Sequence, residues 1–341
     1  MSPHLTVDVV TDIRTLVTVE PAWWSLWHRS RVATPFQSPA WLIPWWRAFA
    51  PGELFVVVVW HKGRLLGLAP LYVDAAFGNM RLLPLGISIS DYVDILADGA
   101  WERAVLEALG SFLATCPTLW NVCELPDLPG DALALRLPCP AGCDESVTRS
   151  SACPVLALAD DDNAFELAVP PRKRRDIRMA RHRAERRGGI AIARADGNSA
   201  GGAVENLFRL HRARWENRGQ PGVLADPRLH RFHGEAVPKL VEAGLARLYT
   251  LEIGGTVAGV YYGLADPDRA YAYLCGFDPA FDHESPGTIL IAHAIEESVR
   301  ERVTEFHFLR GREGYKYRWG AVDRWNYRRT LTRTASRARA S

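Results

Sequence analysis

Hydrophobic and polar positions sort the chain into stretches with two different periods. Residues 5–10 alternate polar and apolar and predict a strand. Residues 21–31 predict a short Trp-rich helix. The segment Thr34-Pro35-Phe36-Gln37-Ser38-Pro39 predicts a turn, with Ser38 as the N-cap and Pro39 opening a helix over 40–49. Two apolar runs, 54–60 and 65–73, flank His61-Lys62-Gly63-Arg64 and predict a hairpin. Short strands follow at 81–85 and 93–96, then helical periodicity over 101–115 and a Pro-rich connector over 125–151.

The pattern then restarts. Pro170-Pro171 leads into a basic run, a helix over 204–215 and a second hairpin, 245–253 and 257–264, around Gly254-Gly255. A strand over 269–276, a helix from Ser285 to Arg302 and a strand over 305–309 complete the second half. Residues 331–341 are rich in Arg, Ser and Ala and read as a frayed tail. Gly63-Arg64-Leu65-Leu66-Gly67-Leu68 matches Gly255-Thr256-Val257-Ala258-Gly259-Val260 at an offset of 192. Each copy leads to a strand ending in glycine and then to a helix. This internal repeat predicts two copies of an α/β unit, with domains at 1–150 and 151–330.

Composition narrows the class. With 341 residues, 48% of them hydrophobic, the chain has ample material for a core, which excludes disorder and fibrous repeats. Lys+Arg 41 against Asp+Glu 39 leaves +2, so any polyanion partner must be recognised by a local patch. Such a patch is present: nine of the residues from Arg172 to Arg187 are Lys or Arg. No apolar run approaches the ~20 residues a membrane helix needs, and the N-terminus lacks a basic start and apolar run. Five of the six cysteines have spacings of 7, 16, 4 and 10, with no CxxC pair, so no metal site is expected. These features fit reduced thiols in a cytoplasmic protein.

Several motifs resemble the CelD/BcsL-type branch of the GNAT acyltransferases. They are Thr34-Pro35-Phe36-Gln37-Ser38-Pro39-Ala40-Trp41, Gly67-Leu68-Ala69-Pro70-Leu71, Ser90-Asp91-Tyr92-Val93-Asp94 and Gly276-Phe277-Asp278-Pro279. Leu210-His211 with Arg214-Trp215 adds to them, and Phe308 to Ala321 is the most specific run. The branch is similar in layout to the Fem aminoacyltransferases, which are tandem GNAT folds. The resemblance implies an α/β fold of two tandem GNAT-like units, mixed sheets flanked by helices. It also implies acyl transfer from acyl-CoA, acetyl-CoA among them, to an amine or hydroxyl. Several relatives are encoded with cellulose or other exopolysaccharide machinery. The alternatives are a Fem-like transferase using charged tRNA, a lipid N-acyltransferase, and a non-catalytic accessory protein of a polysaccharide synthase.

Acyl transfer from a thioester needs a held diphosphate, a deprotonated nucleophile and a stabilised thiolate. Ser285, Gly287 and Thr288 suit the first: a capped helix start whose glycine lets backbone N–H groups approach an anion. The loop departs from the family's Arg/Gln-x-x-Gly-x-Gly/Ala pattern. Beyond the strand at 305–309, Glu313 is placed as general base, Tyr315 as the acid for the thiolate, and Arg310, Lys316 and Arg318 as holders of an anionic group. His211 shares an apolar stripe with Val204, Phe208 and Trp215, and reads first as a core histidine and second as a base or substrate ligand facing the cleft. Arg214 is placed to reach an anion, and Asp91 reads equally as orienting an acceptor hydroxyl or ammonium and as Asp turn chemistry. The basic run reads as a solvated face, a contact for CoA phosphates or an anionic acceptor, or an RNA surface, with nucleic acid the less favoured partner.

Overall fold

The computed structural model describes residues 4–75, 78–116, 118–216, 224 and 226–334, the side chains of 214–216 excepted. The chain begins β1 (Thr6–Val10), α1 (Ile13–Trp27), a 3-10 turn (Pro35–Gln37), α2 (Pro39–Phe49), β2 (Glu53–His61) and β3 (Arg64–Asp74). It continues β4 (Arg81–Pro84), β5 (Leu96–Ala97), α3 (Glu102–Ala114), β6 (Val122–Leu128), α4 (Leu133–Arg136) and β7 (Cys143–Ala157). Next come α5 (Ala164–Ala168), α6 (Pro171–Gly188), β8 (Ile190–Arg194), α7 (Ala200–Glu216), α8 (Pro227–Glu242) and β9 (Ala246–Ile253). The chain ends with β10 (Thr256–Ala265), β11 (Arg269–Phe277), α9 (Pro286–Arg300), β12 (Glu305–His307), α10 (Gly314–Tyr317) and β13 (Val322–Arg333).

Two compact units result. One takes the chain up to Ser151 together with the stretch from Trp325 onward; the other is Ala152–Arg324. Within the first unit the strands run β1-β2-β3-β4-β6-β13, and within the second β8-β9-β10-β11-β12-β7. In the first, β4 and β6 are the parallel neighbours, and in the second β11 and β12 are. The other pairings are antiparallel. The same mixed sheet is thus built twice. The last strand of the first sheet comes from the end of the chain, and Leu331, in the stretch that reads as a tail, is fully buried there.

The repeated hexapeptide has a physical meaning. Between β2 and β3, Val59 faces Gly67 and Trp60 faces Leu65, so Leu66 is an extra residue. Between β9 and β10, Leu251 faces Gly259 and Glu252 faces Val257, so Ala258 is the extra one, 192 positions on. Both are β-bulges, which turn the strand locally. The glycine after each bulge admits a helix against the sheet. A Cβ on Gly67 would lie 2.3 Å from Val105 of α3, and one on Gly259 would lie 2.9 Å from Leu290 of α9. Each helix then carries its apolar stripe into a core. In one unit Val105, Leu109 and Leu113 pack with Val57 and Ala69. In the other Ile289, Leu290 and Ile295 pack with Leu251, Tyr261 and the inner stripe of α6, Ile177, Ala180 and Ala184.

Some predicted elements shift. Helix α1 starts at Ile13 because Asp12 caps it, accepting from the N–H groups of Arg14 (2.9 Å) and Thr15 (3.0 Å), and Pro21 lies inside the helix. The tryptophans of this region form core. Trp23 Nε1 donates to the Gln37 carbonyl (3.1 Å) and Trp27 Nε1 to the Thr34 carbonyl (2.8 Å), buckling α1 to the 3-10 turn. The predicted connector over 125–151 contains most of β6 and the start of β7. No helix among the described residues is long and apolar enough to cross a membrane.

Candidate active site

The second unit opens a cleft where two parallel strands part. β11 and β12 share three pairs, Arg269–Glu305, Ala270–Phe306 and Tyr271–His307. β12 then ends, whereas β11 runs on to Phe277, and burial falls from Tyr271, fully buried, to half-buried residues over 272–275. Backbone N–H and C=O groups along that length of β11 face the gap instead of a ladder partner, so a ligand can add to the strand edge there.

At the far end of β11 stands the first turn of α9. Ser285 occupies the N-cap position but does not cap. It lies in the left-handed region (φ 54°), and its hydroxyl donates to the Asp282 carbonyl (3.4 Å) while making no capping bond with a helix N–H. Gly287 is not forced by packing, since a Cβ there would meet the Phe277 ring at an ordinary 3.4 Å. Two cations from α6 reach this turn. Lys173 Nζ donates to Thr288 Oγ1 (3.3 Å) and sits 4.3 Å from the centre of the Trp319 ring. Arg183 Nη2 donates to Ser285 Oγ (3.4 Å). Burial pushes the Lys173 ammonium below its usual pKa, with Asp176 opposing. Arg181–Glu296 (2.7 Å) and Arg187–Glu284 (2.8 Å) tie α6 to α9 and to the turn before it. The uncapped N–H groups, the helix dipole and two half-buried cations converge on one spot, which is the electrostatic requirement for an anion.

At the matching place in the first unit the charges are taken up in ion pairs. The first turn of α3 carries Glu102, which pairs with Arg136 (3.0 Å), and Arg103 pairs with Glu107 (2.9 Å). The preceding loop is acidic. Asp94 is buried and accepts from the N–H groups of Ile95, Leu133 and Ala134; burial pushes it up to about 7 while those bonds pull the other way. Asp98 holds Arg29 (2.7 Å) and Arg64 (2.8 Å). Asp91 lies buried in this same loop, in the first unit, while every other predicted site residue belongs to the second.

The run after β12 forms the other wall of the gap. Leu309 (φ 58°) and Gly311 (φ 108°) turn the chain sharply on either side of Arg310. Lys316 accounts for that turn. Its side chain is 4% exposed, and Nζ donates to the carbonyls of Leu309 (3.1 Å), Arg310 (2.7 Å) and Gly311 (3.2 Å) and pairs with Glu313 (2.9 Å). With every proton committed, Lys316 anchors the loop and does not hold a ligand, which corrects its predicted role. Glu313 is more than half exposed, with its carboxylate folded over Gly311. Tyr315 is exposed and meets the Phe308 ring edge-on. Arg310 is half-buried on the same loop, and Arg318, at the C-cap of α10, is exposed.

His211 is buried in α7, which packs on β10, β11 and α8. Arg214 falls in the same helix, and its side chain lies outside the described residues. A group that sequence reasoning passed over stands beside His211's helix. His233 of α8 meets Tyr262 of β10 and Tyr273 of β11, both at 5.7 Å between ring centres, and Phe208 of α7 at 6.1 Å. Burial drives His233 down to about 3, with His230 adding to it, so the ring is neutral at physiological pH. Tyr273 is the extra residue of a bulge between β10 and β11, just past the last pair with β12. The stripe Phe232, Val237 and Leu240, with Ala236, signals α8 in the sequence.

Residues 171–317 match the family model described as an acetyltransferase (GNAT) domain. Solved structures share the fold over almost the whole chain. FemX aligns with a TM-score of 0.67 at 11% identity, covering 95% of this chain and 96% of its own. A conserved protein of unknown function from Bacteroides thetaiotaomicron aligns at 0.61 and 10% identity, covering 96% and 100%. The C-terminal domain of a putative lysylphosphatidylglycerol synthetase from Agrobacterium fabrum aligns at 0.58 and 10% identity, covering 92% and 91%. No curated protein matches the chain in sequence. The second unit carries a GNAT acetyltransferase domain, and the protein is an enzyme of the GNAT acyltransferase type.

Proposed function

We propose that the second unit binds an acyl-CoA and passes its acyl group to an amine or hydroxyl. The observation that carries this is the meeting of Lys173, Arg183 and the uncapped first turn of α9 at one end of a strand edge that β12 leaves open. The diphosphate would lie at that turn, against Gly287 and Thr288. The pantetheine amides would pair with β11 along 272–275, which brings the thioester to the mouth of the gap. There the acceptor's nitrogen or oxygen attacks the carbonyl carbon, the C–S bond breaks, and the acceptor's proton leaves as the thiolate is protonated.

Position favours Glu313 as the base and Tyr315 as the acid, both on the loop that Lys316 fixes. The first turn of α3, whose Glu102 and Arg103 are both held in ion pairs, disfavours a second donor site of this kind in the first unit. The polysaccharide association of the resembling branch adds glycan hydroxyls and amines to the acceptors worth trying.

Calorimetric titration with acetyl-CoA tests the donor. A charge-assisted hydrogen bond contributes about 1.5–3 kcal/mol. Replacing Lys173 and Arg183 together by Gln should therefore weaken binding by about 10²-fold or more. Equal affinity in a folded double variant would place the donor elsewhere.

A further inference from the structure

We propose that the outward face of α6 docks the protein onto an anionic lipid surface. The helix carries nine basic and two acidic residues, a local +7 in a chain whose total is +2, so the remainder is net negative. Packing divides eight of the nine cations in two, and Arg174 is half-buried. Lys173, Arg181, Arg183 and Arg187 turn toward Thr288, Glu296, Ser285 and Glu284. Arg172, Arg175, Arg178 and Arg186 are exposed and have no ion pair among the described residues.

At 100° per residue these four arginines, with His182 and Met179, occupy one outward stripe about 120° wide and about 21 Å long. Asp176 and Glu185 fall on its flanks, outside the stripe. Four arginines held in a row without counter-charges repel one another. A natural sequence keeps such a row where a polyanion covers it.

The shape of the face favours a lipid surface over a nucleic acid. It is the convex side of a helix and not a groove, and α6 has no Phe, Tyr or Trp on which a base could stack, its one ring being the small imidazole of His182. It does present large apolar side chains. Met179 is 50% exposed in the middle of the stripe, and Leu167 on α5, just before α6, is 70% exposed. The helix's own apolar stripe, Ile177, Ala180 and Ala184, is buried in the second unit, so α6 does not insert as an amphipathic helix. Attachment is then electrostatic, reversible and sensitive to salt.

Co-sedimentation of the full chain with vesicles tests this. At low salt the protein should pellet with phosphatidylcholine vesicles containing phosphatidylglycerol, and stay in solution with phosphatidylcholine alone. Each arginine near such a surface is worth about fivefold in partitioning, so changing Arg172, Arg175, Arg178 and Arg186 to Gln should lower it by about 10³-fold. Changing all four to Lys should leave it nearly intact, because a membrane surface reads charge and not guanidinium geometry. Circular dichroism and acetyl-CoA titration of the variants establish that the fold and donor site survive. Three results would overturn the proposal: no pelleting at low salt, pelleting unchanged in the Gln variant, or total tRNA captured at a salt concentration where the vesicles are not.

Discussion

Lys316→Met tests whether the wall opposite β11 is a built structure. The substitution keeps an unbranched side chain, one atom shorter, and removes three donated bonds, to Leu309, Arg310 and Gly311. The bond to Leu309 is buried, and an acceptor left unpaired there costs about 1–3 kcal/mol. The other two carbonyls are part-buried and reachable by water, so their loss is smaller. Leu309 also sits at φ 58°, a conformation that costs a side-chain-bearing residue about 1–2 kcal/mol and persists only while its surroundings enforce it. Without the anchor, the loop is expected to relax and recover part of that cost. The net loss should be about 2–4 kcal/mol in urea unfolding. Arg310 and Arg312 make the loop a trypsin substrate once it opens, so limited proteolysis gives a local readout. Lys316→Arg should not rescue, because a planar fork does not converge on three carbonyls. A change below about 0.5 kcal/mol, with trypsin resistance retained, would refute the anchor.

The remaining expectations concern chemistry, pH and packing. Glu313→Gln should lower turnover by about 10²–10⁴-fold with acetyl-CoA binding intact; normal turnover with lowered stability would leave Glu313 only as the partner of Lys316. His211→Asn should reduce stability more than it reduces turnover of the folded fraction, and the reverse pattern would hand the base role to His211. His233 has its folded pKa near 3, below the unfolded 6.5, so its contribution is complete above pH 6.5 and is lost as pH falls toward 3. Thermal unfolding across that window should show a loss of about 1 kcal/mol per pH unit that His233→Phe removes; an unchanged slope would contradict a buried neutral ring. Gly67→Ala should cost about 1–3 kcal/mol by overpacking on Val105, and Val105→Ala should relieve it in the double variant; additive losses would mean the two do not touch.

Features with strong local periods were legible in the sequence, and features made by tertiary assembly were not. The hairpins, the helix after Ser285 and the two-copy plan followed from alternation and from the hexapeptide repeat. The repeat could be found because a bulge and a close helix contact demand the same residues in both units, Gly67 and Gly259 above all. α8 was missed although its stripe was present, because His230, His233 and Pro238 interrupt the look of a helix. β7 and β13 were missed for another reason: mixed polar strands with no clean alternation are fixed by their partners, here β12 and β6, and not by local pattern. The candidate site was half visible. The turn at Ser285–Thr288 could be proposed as an anion site from its own residues, but Lys173 and Arg183 lie more than a hundred positions earlier, and only folding separates them from their exposed neighbours on α6. Lys316 was misread because a lysine in a polar loop looks solvent-facing until its three carbonyl partners are in place.

Hydrogen exchange with and without acetyl-CoA tests the central claim most directly, because it locates the donor on the backbone. The expected result is slowed exchange at two places in the second unit, the β11 edge over 272–275 and the amides of Gly287 and Thr288. The first turn of α3 at 102–105 should be unchanged. Protection at α3, or none at either stretch with acetyl-CoA bound, would contradict the assignment of the donor to the second unit.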